Sequence, residues 1–220
     1  MRSRLKKFLS NDSMSIALLS MFLVCIASQS ITGWFAYNQE LRQAHNRSID
    51  YVAYLCTGNF LDGAFSNWQA AILQLAVLIT FGSVLRQKGA AHSRKSAAQA
   101  NENHRTLRWN IHSKLGSKRW LYANSLSVAF FTGFAIMFVL HIVFGSIKHN
   151  EDQALRHLPA ISMSSYFISS GFWFSVFQTW EAEFSAIGIY IVLSIFLRQE
   201  HSSESKPTGA SDQETGDTNE

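Results

Sequence analysis

Four long apolar runs, separated by polar and aromatic segments, set the pattern of this chain. They are Ser15–Trp34, Trp68–Leu85, Leu121–Gly145 and the shorter Phe184–Leu197. A helix rises about 1.5 Å per residue, so roughly 20 apolar residues cross the hydrocarbon of a bilayer. The first three runs reach that length within ordinary tilt and mismatch. The fourth reaches it when extended back to Trp180, which leaves Glu181 and Glu183 near the membrane surface. The pattern predicts four membrane-spanning helices, about 15–34, 68–85, 121–145 and 180–197, in an all-α bundle.

The pattern also repeats. Residues 13–93 align without a gap on 125–205, with 18 identities in 81 positions. Gly33 falls on Gly145, Asn38 on Asn150, Tyr54 on Tyr166, Phe60 on Phe172, Phe65 on Phe177 and Trp68 on Trp180. Leu85-Arg86-Gln87 falls on Leu197-Arg198-Gln199. A constant offset with a matched Trp pair points to a duplicated helical hairpin. The first repeat is 1–87 and the second 121–200, joined by a basic linker, 88–120, and followed by a tail, 201–220. The repeat argues for retention of the first helix. Arg2, Arg4, Lys6 and Lys7 before an apolar run resemble a signal peptide with cleavage near Ala27 and Ser28. Residues 125–145, however, form the same element within the chain.

Composition strengthens the membrane reading. Only 15% of residues are charged, 13% are aromatic and mean hydropathy is +0.02, against about 25% charged in average soluble usage. The basic residues are unevenly placed. Fifteen lie in the N-terminal segment, the linker and the tail, and four in the two segments between paired spans (Arg42, Arg47, Lys148, Arg156). By the positive-inside rule both termini and the linker are cytoplasmic. The net charge of +4 is thereby a topology signal, and no nucleic-acid partner is expected. Two hairpins inserted in the same sense are parallel repeats, which excludes the inverted-repeat transporter plan and leaves the parallel one open.

The outer segments turn aromatic before the next span. Tyr54, Trp68, Tyr166 and Trp180 suit an outer interfacial belt. Segments 49–65 and 161–177 read as interfacial or shallow re-entrant helices interrupted near Gly58 and Gly171. They either anchor and seal the bundle or line a vestibule, and anchoring alone accounts for their composition. At the inner face, Arg86 and Arg198 end their helices, where cations suit the helix dipole and reach lipid phosphates.

Candidate chemistry inside the spans is sparse. Gln29 and His141 are repeat equivalents near the outer helix ends, Gln74 lies mid-span opposite Ala186, and Ser20 matches Thr132. Gln29, Gln74 and His141 could line a polar path, but interhelical hydrogen bonding is the commoner use of such residues. No Asp, Glu, Lys or Arg lies deep in a span, which weakens a proton-coupled pump or exchanger. Glu181 and Glu183, two apart on a helix, point away from each other and form no dyad; they read as surface charges capping the outer end of the fourth helix. Cys25 and Cys56 form no disulfide framework, and His92, His104 and His112 are too irregularly spaced for a metal. The linker, with Leu107, Trp109, Ile111 and Leu115 among its basic residues, reads as an amphipathic surface helix on anionic lipid. The tail, rich in Ser, Thr, Asp and Glu, is expected to be disordered. No G-x-x-x-x-G-K-[ST], H-E-x-x-H, G-x-S-x-G or C-x-x-C motif occurs, so neither an enzyme nor a cofactor is expected.

Each unit carries a Gly at a span end, a polar Asn-Glu-like turn, a [T/S]-G-x-F-like stretch, F-x-N/T-W, an apolar span and L-R-Q. This resembles an uncharacterised bacterial family of small membrane proteins, a domain of unknown function. Asn67-Trp68-Gln69-Ala70-Ala71 lacks both acids of that family's N-W-E-x-E-F-like segment, while Thr179-Trp180-Glu181-Ala182-Glu183-Phe184 keeps them and lacks the Asn. The resemblance implies four spans in a bacterial inner membrane and carries no catalytic residues. The expected function is a non-enzymatic structural or assembly component whose partners are the lipid bilayer and either another membrane protein or a second copy. The alternative is a small transport or permeation unit.

Overall fold

The computed structural model describes residues 11–93 and 117–216. Among these the ordered elements are helices: α1 (Ser13–Gln43), α2 (Tyr51–Leu55), α3 (Gly58–Val84), α4 (Ser117–Ala123), α5 (Ser125–Leu155), α6 (Met163–Phe167) and α7 (Ser170–Phe196). Four of them, α1, α3, α5 and α7, are long and apolar enough to cross a membrane. Their apolar side chains face outward, as with Leu18, Met21 and Val24 on α1 and Ile189, Val192 and Phe196 on α7. Exposed apolar side chains along a long helix are unfavourable in water and natural in lipid. Most of linker 88–120, including its expected surface helix, lies outside the described residues.

The helices extend past the expected spans at the C-terminal ends of α1 and α5 and the N-terminal ends of α3 and α7. α1 and α5 have 31 residues each and α3 and α7 have 27, or about 40–46 Å against about 30 Å of hydrocarbon. Hydropathy marks only the apolar part of each helix. α1 continues through polar residues because Tyr37, Asn38 and Leu41 are buried on its inner side. α5 begins at Ser125 rather than 121, since Asn124 breaks the chain after α4 and its side chain donates to the Trp120 carbonyl at 2.8 Å. Segments 49–65 and 161–177 are each split. A single-turn helix is followed by the first turns of the next long helix, and the long helices begin at Gly58 and Ser170. Thr57 and Ser169 make these breaks: each side-chain oxygen accepts a backbone N–H three residues on, from Phe60 at 3.3 Å and Phe172 at 3.2 Å. Such N-caps satisfy donors that a helix start otherwise leaves orphaned. Glu181 and Glu183 therefore cap nothing, because α7 starts at Ser170 and places both well inside the helix.

The same local devices occur at an offset of 112. Every bound of α1, α2 and α3 is followed by that of α5, α6 and α7. Two residues past each of α1 and α5 stands a histidine in the left-handed region, His45 (φ 59°) and His157 (φ 56°). Beyond each, a backbone N–H reaches back five residues, from Asn46 to Leu41 at 2.8 Å and from Leu158 to Gln153 at 2.9 Å. This is the bonding of a Schellman stop. Asn38 and Asn150 each grip both backbone groups of one distant residue, Ile49 (2.7 and 3.0 Å) and Ile161 (2.9 and 3.0 Å).

The chain divides into two compact units, Met1–Ala64 with Ile142–Phe167, and Phe65–His141 with Ile168–Glu220. In the first, Tyr37, Leu41 and Tyr54 form a core packed by Trp34, Ile49, Leu55, Phe60 and Leu155. Tyr54 and Tyr166 lie over Gly33 and Gly145, where a Cβ would strike their hydroxyls. In the second, fully buried Phe172 and Val176 anchor α7, and Phe138 meets Phe172 with ring centres 6.0 Å apart.

Candidate functional site

In the first unit, polar groups gather where α3 begins and α5 ends. Lys148 Nζ lies 3.2 Å from Asp62 Oδ2, and Asp62 is buried. One turn on, Glu151 Oε1 accepts the Gly58 backbone N–H at 3.1 Å. A carboxylate at the N-terminus of α3 is favoured by the helix dipole. The backbone of α5 at Ile147 and Lys148 approaches Gly58 so closely that a Cβ has no room there. Tyr166 and Asp62 converge over Gly145, and burial, with the Asp62 charge as the lesser cause, pushes the Tyr166 phenol up to about 12. Burial and then Glu40 raise Tyr54 as well. Both phenols stay protonated at neutral pH and cannot serve as bases. The cluster fastens α3 to α5. No group of three or more His, Cys, Asp or Glu suited to a metal occurs among the described residues.

In the second unit, Gln69 is completely buried. Its carbonyl accepts the Trp180 indole N–H at 3.0 Å, and its amide donates to the Ser66 carbonyl at 3.1 Å and to Thr179 Oγ1 at 3.5 Å. Five residues on, Gln74 donates to the Glu183 carbonyl at 2.8 Å. His141 is fully buried with its ring 5.2 Å from that of Phe172. The two glutamines fasten α3 to α7. Each satisfies polar groups that would be costly to leave unpaired in an apolar interior.

The third grouping lies beyond the C-terminal ends of α3 and α7, also in the second unit. Arg198 Nη2 donates to the Ala210 carbonyl and Asp212 Oδ1, both at 2.9 Å. Lys206, only 1% exposed, donates to the carbonyls of Ser211 and Glu214, each at 3.1 Å. Thr215 Oγ1 accepts the Gly89 N–H at 2.9 Å and is 3.5 Å from Arg86 Nη2. Tail residues 201–216 thus form a turn-rich segment with buried groups, where composition suggested disorder. What composition misses is that the tail supplies backbone acceptors to the basic residues at the helix ends.

A family model described as "Domain of unknown function (DUF6766)" matches residues 5–217. The chain belongs to the DUF6766 family. Comparison with curated proteins and with solved structures returns no match.

For this DUF6766 chain the sequence-selected residues have different placements. Gln29 is exposed on α1 in the first unit, whereas Gln74 and His141 belong to the second and are held by different partners. Of the aromatic anchors, Tyr54 and Tyr166 are buried core residues, 2% and 8% exposed. Trp68 meets Phe65 edge-on at 5.6 Å, and Trp180 is held by Gln69 beside Phe134 and Phe177. Arg86 and Arg198 reach the tail. Three groups escaped the sequence reading: Gln69, the Asp62–Lys148 pair and Lys206. A lone acid among aromatics flags Asp62, but nothing local pairs it with a lysine 86 positions away.

Proposed function

We propose that this protein is a multi-pass component of a bacterial inner membrane, made by duplication of a helical hairpin, with both termini and the linker in the cytoplasm. Its role is structural or assembly-related and non-enzymatic, exercised through packing against lipid and against another membrane protein or a second copy. The recurrence of caps, Schellman stops and Asn clamps at a fixed offset supports the duplication. The excess of basic residues in the N-terminal segment, linker and tail supports the orientation.

The observation that carries the non-enzymatic reading is how the polar groups within the long helices are used. Gln69 and Gln74 are spent on Trp180 and on the Glu183 carbonyl, so they act as interhelical fasteners rather than as solvating groups along a path. The test is Gln74→Leu and His141→Leu in the native host. The structural reading expects lowered thermal stability of the purified variants and unchanged solute uptake wherever protein is still made. A variant that keeps its melting temperature but loses uptake would replace this reading with permeation.

A further inference from the structure

Four basic side chains, Arg86 and Lys88 beyond α3, Arg198 beyond α7 and Lys206 within the tail itself, all donate to tail residues 210–215. Arg86 reaches Thr215 and Lys88 reaches Gln213 Oε1, each at 3.5 Å, while Arg198 and Lys206 take the 210–214 backbone and Asp212. The tail is further laid down by a bond from the Gly216 N–H to the Ala90 carbonyl at 3.1 Å. On this face the tail presents acceptors: carbonyls, one carboxylate, one amide oxygen and one hydroxyl. The set does not saturate its donors, because Arg198 Nε is buried without a hydrogen-bond partner. The Arg198 side chain is 13% exposed while Asp212 opposite is 58% exposed, so the cation is built into the fold and its counter-ion sits at the rim.

We propose that this is a phosphate-binding site for an anionic lipid headgroup, closed by the tail acting as an intramolecular stand-in. Guanidinium forks match phosphate oxygens as they match carboxylate. Helix ends at the inner membrane face put Arg86 and Arg198 at headgroup level. Loss of the tail's weak acceptors frees the four cations together. The choice of lipid over a soluble phosphate rests on the membrane reading above.

The test uses the full chain in neutral detergent, with native mass spectrometry counting retained phosphatidylglycerol against phosphatidylcholine. Asp212→Ala with Thr215→Val removes two side-chain acceptors, and a chain ending at Lys206 removes the whole strap. Both should raise the preference for phosphatidylglycerol by about tenfold, as freeing cations beside an anionic surface demands. Adding Arg86→Gln and Arg198→Gln should abolish the gain. An unchanged preference in both tail variants, or a gain that survives loss of the arginines, would overturn the site. Excess inorganic phosphate should leave the retained lipid in place; displacement would overturn the lipid assignment. If cysteine labelling still reports four spans while the lipid preference is flat, the site fails and the membrane reading stands.

Discussion

Replacing Asn38 with alanine should loosen the connection between α1 and α2 by an amount that its geometry sets. The carboxamide accepts the Ile49 N–H at 2.7 Å and donates to the Ile49 carbonyl at 3.0 Å, and the residue is 5% exposed. Each such bond contributes about 1 kcal/mol net, and a buried donor left unsatisfied costs about 1–3 kcal/mol. The Ile49 carbonyl keeps the Trp34 indole N–H at 2.9 Å, so only the N–H is stranded. We expect a loss of about 2 kcal/mol for Asn38→Ala. Asn150→Ala breaks two matching bonds to Ile161, whose carbonyl has Ser146 rather than a Trp at the position equivalent to Trp34. Asn150 is also less buried, so water replaces part of what is lost, and about 1–2 kcal/mol is expected. Thermal unfolding in a mild detergent should show both variants melting about 3–8 °C below wild type. If both melt with wild type, the clamps are incidental and the reasoning from their geometry is wrong.

Two further outcomes follow from single contacts. Gly58→Ala places a methyl against the backbone of Lys148 and Ile147, which cannot rotate away, and should destabilise by about 1–3 kcal/mol. Gly82→Ala, in open space on the same helix, should be neutral or gain up to about 1 kcal/mol in helix propensity, and the melting curves of the two compare them directly. Tyr166 has a folded-state pKa raised from 10.0 to about 12. Above its ordinary value the unfolded chain ionises first, so its stabilisation is complete below pH 10 and is lost as pH rises to about 12, by roughly 2–3 kcal/mol. Melting temperatures from pH 9 to 12 should fall less steeply in Tyr166→Phe than in wild type; parallel falls would refute the assignment.

What hydropathy and self-alignment could read was the presence of four long helices and the pairing of their contents. Hydropathy marks apolar runs, so it stopped at Trp34 and began again at Trp68, although α1 runs to Gln43 and α3 starts at Gly58. The extra turns are held by polar and aromatic contacts that hydropathy does not record: Asn38 grips Ile49 11 positions on, while Asp62 and Glu151 meet Lys148 and Gly58 86 and 93 positions away, beyond any local window. Interface-type residues were legible only as types. Tyr54 and Tyr166 have the amphipathic ring expected at a headgroup, yet each is packed over a glycine of the preceding long helix. The tail failed for the same reason. Its composition offers little to bury, but Lys206 and Arg198 draw in its carbonyls, a property of the backbone that composition does not record.

The central claim, a four-span chain whose two hairpins enter the membrane in the same sense, is tested most directly by labelling intact cells with a membrane-impermeant thiol reagent. Cys25 and Cys56 are free and exposed, so the background is Cys25→Ser with Cys56→Ser. Single cysteines are then placed at the exposed positions Arg47, Ala160 and Lys88. The account expects Arg47→Cys and Ala160→Cys to label in intact cells and Lys88→Cys to label only after lysis. Labelling of Lys88→Cys from outside, or protection of either of the other two, would contradict it.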